Sequence, residues 1–478
     1  MKENKKNYEC CIIGAGPAGL GAALELVRHG VTDILIIDKN VYVGGVARTE
    51  IYDGVRFDVG PHRFFTKNNE INTIWHEMLG KDFRPVSRLT RIFYKNRYFN
   101  YPVEAADVFR KLGVQESLSA ALSFFSSQIH RHGDSASFED WICQRFGRKL
   151  YEIFFKTYTE KVWGIPCSQI SAEWAAQRIR GLDGLAVIVR ALRGRRHTTI
   201  KTLVEEFDFP VLGSGQMYEA MRDEVLSRGA TLMLDHTVIK LNRSDTRVVS
   251  VDIMEPDSRV VTITAQHFFS SIPMARFFTI FDPPEPEYIR KAAAMLRYRD
   301  HISVNLLVRR ENVFPDQWIY VHSPEVQTAR VANYNNFSKA MVPFAGMTAL
   351  CAEYFVSRGQ GLWNESDDSL RKLASSELSR MGLLKAEEID KFWVVREAYA
   401  YPLYYIGFEA PYEVLKARIN QFDNFYSIGR AGMHKYNNQD HSLMSGILAA
   451  RNYLQLPGAP YVLWNINIDA EYLEEGRK

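Results

Sequence analysis

The segment YECCIIGAGPAG at residues 8–19 constrains this chain more than any other. Residues 8–13 read as a buried strand, and GAGPAG at 14–19 follows at once. An Ala- and Leu-rich stretch then predicts a helix to about His29, and DILIID at 33–38 predicts a second strand ending on Asp38. Strand, GxGxxG, helix, strand and acid, in that order, form a dinucleotide-binding fingerprint in the context it requires. Gly14 permits the tight turn, Gly16 the close approach of a pyrophosphate, and Gly19 the packing of helix on strand. Asp38, 24 positions after Gly14, is placed for ribose hydroxyls. The helix N-terminus offers free amides and positive potential to the phosphates. A Gly-rich turn without a ligand is the bland alternative, and the flanking elements weigh against it.

Length and charge narrow the class further. At 478 residues the chain has room for about three domains of ordinary size. With 46% hydrophobic and 24% charged residues it reads as a globular protein. Lys plus Arg is 59 against 56 for Asp plus Glu, too small an excess for a protein that lives on nucleic acid or an anionic membrane. Cys10, Cys11, Cys143, Cys167 and Cys351 form no CxxC pair and no disulfide or zinc spacing, so no metal is expected and a reducing compartment is. Lys-rich residues 2–6 before the apolar stretch 10–24 mimic a signal peptide, but that stretch carries the phosphate-binding glycines. No run reaches the roughly 18 apolar residues of a membrane span. The expected location is cytoplasmic.

A second nucleotide-binding end lies late in the chain. VGGVARTE at 43–50 puts Gly44, Gly45 and Arg48 just after the acid, and residues 424–454 read as strand, polar loop and amphipathic helix. The pairing resembles the flavoproteins with two dinucleotide-binding motifs, in which FAD lies extended between both ends of the chain. That resemblance implies FAD, with Gly45, Arg48 and Gln439 among its contacts, Gly429 and Arg430 near its phosphates and Asp440 near the ribityl chain. The expected fold is α/β, a Rossmann-like FAD domain with two insertions. Residues 1–100, 205–270 and 390–460 are assigned to the FAD domain, 101–204 to a helical insertion, and 271–389 to an antiparallel-sheet substrate domain.

FDVGPHRFFTKN at 57–68 resembles the histidine loop of UDP-galactopyranose mutases, with His62 beside the flavin ring. Further matches follow in the family's order. FFKTYTEKVWGIP at 154–166 carries Tyr158 and Trp163, and WAAQRI at 174–179 puts Arg178 where the mutases have a mobile-loop arginine. WIYVH at 318–322 and TARVANYNNFS at 328–338 offer Tyr320 and Arg330; AYPLY at 400–404 offers Tyr401. KYNNQDHS at 435–442 offers Tyr436, Asn438, Gln439 and Asp440, and NYPVEAAD at 100–107 offers Tyr101. The resemblance implies catalytic roles for Arg178, Arg330 and His62. It implies substrate contacts from Tyr101, Trp163, Tyr320, Tyr401, Tyr436 and Asn438. Trp163 and Tyr158, aromatic residues at a helix end, read equally as core.

Two arginines suit a nucleotide diphosphate-sugar, because each can grip phosphate oxygens with bidentate geometry. The family's reaction is implied: attack of reduced flavin N5 on the anomeric carbon and interconversion of pyranose and furanose, in polysaccharide biosynthesis. An electron donor such as NAD(P)H and a homo-oligomer are further expectations. Imidazole proton transfer by His62 near neutral pH is chemically reasonable. Val103 and Glu104 depart from the eukaryotic-type mutases, which place an aromatic residue and Gln there. A carboxylate repels a diphosphate, which puts UDP in question. The alternative is an FAD-dependent oxidoreductase of the amine oxidase and protoporphyrinogen oxidase-like group.

Overall fold

The computed structural model describes residues 7–101, 103, 105–129, 135–172 and 206–466. Two large sheets organise them. In the first, strand Asn7–Ile13 runs parallel to Ile34–Ile37 on one side and to Val260–Ser270 on the other. Thr231–Met233 extends the sheet beyond Ile34–Ile37, and Phe425–Ser427 pairs parallel with the end of Val260–Ser270. The central strands carry apolar side chains on both faces, as a sheet covered on two sides requires. Arg247–Met254 and Thr237–Ser244 continue it as an antiparallel edge.

Helix Pro17–Arg28 starts at Gly16, and every residue from Pro17 to Val27 is buried. It lies between the sheet and the late helix Gln439–Tyr453, and burial of each large side chain such as Leu20 or Leu24 contributes about 1.5–3 kcal/mol. The two helices meet through glycines. A Cβ on Gly446 would stand 1.9 Å from the Ala18 carbonyl oxygen, and one on Gly21 2.6 Å from that of Leu443. Glu25, buried on the first helix, is paired with Arg451 of the second at 2.7 Å. The beginning and the end of the described chain are thus locked together.

The second sheet has the order Ile389–Pro402, Tyr298–Val308, Thr348–Val356, Arg330–Asn333, Trp318–Val321, Thr90–Tyr94, Arg97–Asn100. It is antiparallel except where Trp318–Val321 runs parallel to Thr90–Tyr94. The boundaries expected from sequence group the strands at 90–100 and 389–402 with the nucleotide-binding segments. Their hydrogen bonds are to this second sheet. The described part of 101–204 is helical, with helices Ala105–Leu112, Val114–Ile129, Phe138–Phe146 and Thr157–Trp163. Among the described residues no helix is long and apolar enough to cross a membrane.

Candidate active site

A cavity of about 230 Å³ opens at the carboxyl ends of the parallel strands, lined by Gly14, Gly16, Asp38, Gly45, Gly429, Arg430 and Gln439. Gly14 has φ +108°, and a Cβ there would stand 2.0 Å from Ser271 Oγ. At Gly19 a Cβ would stand 1.8 Å from the Gly14 carbonyl oxygen, so this glycine is needed for the turn to pack on its helix. Gly16 differs: a Cβ there would meet backbone alone, the nearest atom being Gly45 Cα at 3.6 Å, and the two glycines leave a side-chain-free floor before the helix N-terminus. Asp38 Oδ2 accepts the Ala15 N–H at 2.7 Å, and Oδ1 accepts the Asn40 N–H at 2.8 Å. Burial pushes its carboxyl above the usual range, against those two backbone donors.

Three of the expected contacts fall elsewhere. Arg48 is absent from the cavity wall; it donates to Glu397 Oε2 at 2.6 Å, Glu50 Oε1 at 2.9 Å and the Gly45 carbonyl at 3.0 Å. Two carboxylates compensate its charge, so it braces the wall from behind. Asp440 also lies off the wall, 3.4 Å from His441 Nδ1. Asn438, expected against substrate, lines the dinucleotide cavity instead, because it begins the late helix whose N-terminus points there. Gln439 is fixed between the Tyr218 hydroxyl, which donates to its Oε1 at 2.7 Å, and the Arg63 carbonyl, which accepts from its Nε2 at 2.8 Å.

Beyond the inner end of this cleft, His62, Arg430 and Glu397 are shared with a second, smaller cavity of about 30 Å³ that adds His301, Arg330 and Tyr401. Arg330 is the centre of the second region. Its Nη2 donates to Glu353 Oε2 at 2.5 Å, while its buried Nε has no hydrogen-bond partner among the described residues. Tyr401, Tyr158 and Tyr320 stand close enough to act on its charge. The Tyr320 ring lies 5.3 Å from both Tyr101 and Tyr158, and the Tyr401 ring 5.3 Å from Tyr436. The strand Arg330–Asn333 and the strand Trp318–Val321 pair in register Tyr320 to Arg330, which puts these two side chains on one face.

Trp163 is a correction. Only 1% exposed, it packs against Tyr404 and Tyr436 and supports the wall without lining it. Tyr158 is the residue of that segment that faces Arg330. Arg178 and Glu104 lie outside the described residues.

His62 is pinned by its own loop. Its Nδ1 is 2.8 Å from the Gly60 carbonyl, which can only accept, so the proton sits on Nδ1 and Nε2 is the free acceptor. Burial, then Arg430 and Arg330, lower its pKa to about 4 against the opposing pull of the Gly60 carbonyl. Titration near neutral pH is therefore not what the site provides, and the ring is neutral at pH 7. Arg430 donates to the carbonyls of Asn437 at 2.7 Å and Ala400 at 3.2 Å and sits 4.9 Å from the Tyr401 ring. Among the described ion pairs none compensates it, so this cation presents its charge to both cavities.

Glu353, His301 and Glu397 are absent from the sequence-based set. Glu353 is fully buried and also takes the His301 Nε2 contact at 2.9 Å. Burial raises its carboxyl, but Arg330 and His301 outweigh that and hold it down to about 2. The signal available was a lone glutamate in the apolar strand TALCAEYFV. Among the described residues no cluster of His, Cys, Asp or Glu could hold a metal ion.

Residues 12–78 match the family model of the NAD(P)-binding Rossmann-like domain. Over 178 residues the chain is 29% identical to the "Probable UDP-galactopyranose mutase" of Klebsiella pneumoniae, a stretch that is 35% of this chain and 44% of that protein. The chain thus matches less than half the length of this curated relative. A stretch of 67 residues is 37% identical to a Baeyer-Villiger monooxygenase of Streptomyces coelicolor, 13% of each chain. A crystal structure of reduced UDP-galactopyranose mutase superimposes over 98% of this chain and 99% of its own, with TM-score 0.82 and 22% identity. Putrescine oxidase with bound putrescine superimposes over 94% and 99%, with TM-score 0.62 and 16% identity. The Gly16–Gly45 floor, the ribose-side acid and the uncompensated Arg430 fit a flavin dinucleotide along the cleft. The chain therefore carries the fold of UDP-galactopyranose mutase, with the dinucleotide site of an FAD-dependent flavoprotein.

Proposed function

We propose that this protein is a flavin-dependent mutase that interconverts the pyranose and furanose forms of a nucleotide diphosphate-sugar. One observation carries the reading: a largely buried arginine, Arg330, whose Nε has no partner among the described residues, ringed by tyrosines beside the cation Arg430 and next to His62. Bound and reduced, the flavin supplies the nucleophile for the anomeric carbon. The chain's own part is positioning and charge. Arg330 offers Nε to a diphosphate oxygen, and Arg430, in no ion pair among the described residues, adds positive potential. Tyr158, Tyr320, Tyr401 and Tyr436 contribute hydroxyls, and burial raises the Tyr158 and Tyr401 phenols above their ordinary value, which keeps these two uncharged near neutral pH. His62 Nε2 accepts one hydrogen bond from whatever lies in the ring plane. Arg178 is assigned the second diphosphate contact by resemblance alone.

The oxidoreductase alternative draws on the shared fold and on the paired rings of Tyr401 and Tyr436, a wall that also suits a flat or cationic substrate. Arg330 and Arg430 argue against an amine, which they would repel. The deciding experiment is anaerobic reduction of the purified protein with a panel of nucleotide diphosphate-hexoses, following ring-form interconversion by chromatography. Conversion only in the reduced state supports the mutase. No conversion together with rapid oxygen consumption favours the oxidase.

A further inference from the structure

The connection between strand Trp318–Val321 and strand Arg330–Asn333 is gripped by two opposite charges. From one side the ammonium of Lys161, on helix Thr157–Trp163, donates to three carbonyls: Val321 at 2.9 Å, Ser323 at 2.8 Å and Thr328 at 3.1 Å. These bonds use every proton the ammonium has. From the other side the carboxylate of Glu377, on helix Asp367–Arg380, accepts the Gln327 amide, the Thr328 amide at 2.9 Å and the Thr328 hydroxyl at 2.6 Å. The two charges act on each other through space, and neither belongs to an ion pair among the described residues. A lysine drawn out of water ordinarily finds a carboxylate, so its use on backbone oxygens calls for a reason.

What the grip holds is the strand pair that carries Tyr320 and Arg330 in register. Tyr158 and Lys161 are three residues apart on one helix, a spacing that puts both on the same side of it. The Tyr158 ring reaches Tyr320 at 5.3 Å, and its hydroxyl acts on the Arg330 charge. His322, inside the connection, stacks on Tyr158 with ring centroids 5.0 Å apart and planes at 11°. The same imidazole is hydrogen-bonded to the Ile153 backbone, in the π turn Glu152–Lys156 that leads into the helix. One helix therefore meets the strand pair through a ring at 158 and a cation at 161. Lys161 lines neither cavity, so whatever it does for a ligand it does through Tyr158, Tyr320 and Arg330.

We propose that Lys161 is a positioning residue: it ties the strand pair of Tyr320 and Arg330 to the helix of Tyr158, so that these walls of the substrate region hold a ligand as one unit. The consequence for turnover rests on the diphosphate reading above; the tie itself does not. Burial brings the Lys161 ammonium down to about 8, against Glu377 and Glu325, which favour its charged form. His322 is held at about 3, chiefly by burial, and is neutral. The Tyr354 phenol, which donates to Glu377 at 3.1 Å, is pushed well above its ordinary value. Loss of the Lys161 proton leaves two N–H groups and turns a lone pair toward the carbonyls, which loosens the tie.

Hydrogen–deuterium exchange on the flavin-loaded full chain reads the tie without any substrate. K161M should raise exchange of the amides at 322–330 about tenfold, the scale of one hydrogen bond to a charged group, with flavin content retained. K161R should not. Kinetics read the consequence, using the nucleotide diphosphate-hexose that the reduced wild type converts. K161M should raise KM about tenfold and change kcat less, because Glu353 still fixes the Arg330 guanidinium. Wild-type kcat/KM should fall above a pH of about 8, and K161R should remove that limb. E377Q should move the limb to lower pH, since a carboxylate that favours the ammonium is gone. Lys435 is also lowered to about 8, but it donates to the Trp464 carbonyl, and a limb set by Lys435 would answer to neither variant.

Unchanged exchange at 322–330 in K161M overturns the tie. Raised exchange with wild-type KM overturns the positioning role and leaves the mutase reading standing. A wild type that converts no nucleotide sugar removes that reading instead, and exchange alone then decides the tie. If K161M does not fold, the pH limb decides: one that stays in place in both K161R and E377Q overturns the proposal.

Discussion

Arg330, largely buried, pairs with the fully buried Glu353, Nη2 to Oε2 at 2.5 Å, and His301 Nε2 reaches the same carboxylate oxygen at 2.9 Å. The pair leaves Arg330 Nε without a partner while fixing the plane of the guanidinium. Glu353→Ala leaves the arginine uncompensated in the interior and should cost about 3–5 kcal/mol of stability, read by denaturant unfolding. Glu353→Gln keeps the shape and a hydrogen-bond acceptor. It should stay folded with full flavin content and lose turnover through kcat, because the guanidinium is no longer held. Unchanged kcat in that variant would remove the positioning role.

Arg330→Ala should retain flavin, since Arg330 lies beyond the dinucleotide cavity. Its turnover of a nucleotide diphosphate-sugar should fall by about 100-fold or more, the scale of losing one charge-stabilising group. Steady-state assays beside the flavin absorbance separate the two effects. Turnover equal to wild type would sink the diphosphate argument.

Gly16→Val should give a folded protein that purifies colourless. The new side chain occupies the floor opposite Gly45, where the backbone alone now stands 3.6 Å away. The check is the ratio of flavin to protein absorbance, with circular dichroism to confirm folding. A yellow Gly16→Val protein would place the pyrophosphate elsewhere.

Stability should fall as pH drops below about 6.5. His62, His322 and His434 titrate at about 4, 3 and 3 in the folded chain, all lowered first by burial. In the unfolded chain they bind protons near the ordinary value of 6.5, so the unfolded state takes up more protons between about 6.5 and 3. Their neutral-form stabilisation is full above 6.5 and lost as pH falls through that window. Glu353, held at about 2, acts with the same sign at lower pH, from about 4.5 downward. Melting temperatures from pH 8 to pH 4 measure the trend, and a flat profile contradicts it.

Glu104→Gln should tighten binding of uridine diphosphate if the carboxylate is what rejects it, measured by calorimetry. An unchanged affinity discards that role for Glu104.

What the chain discloses in its sequence depends on how local the determinant is. Gly14, Gly16, Gly19 and Asp38 were readable because turn, helix and acid lie within one βαβ unit, where spacing alone fixes geometry. Tyr320 and Arg330 were readable through a resemblance, and their strand pairing places them on one face. Glu353 and His301 were not, since a buried carboxylate in a strand has no pattern until the arginine facing it is known. Trp163 misled for the opposite reason: an aromatic at a helix end suits core and ligand equally, and only its 1% exposure decides. Arg48 carried a motif position, yet Glu50 and Glu397 claim it. The partnership of strand Thr90–Tyr94 with Trp318–Val321, more than 200 residues later, leaves no trace in either segment.

The glycine contact between the first helix and the last has a temporal consequence. Gly446 meets Ala18, and Arg430 and Gln439 complete a cleft begun at Gly14. A chain emerging from the ribosome therefore holds half a pocket for the synthesis of some 400 further residues, on the order of tens of seconds. Prosthetic-group capture has to wait for release of the C-terminal helix, and until then the apolar first helix lacks the cover that Leu443 and Ile447 later provide. Truncation before residue 439 should for this reason yield an aggregating apoprotein rather than a weakened holoprotein.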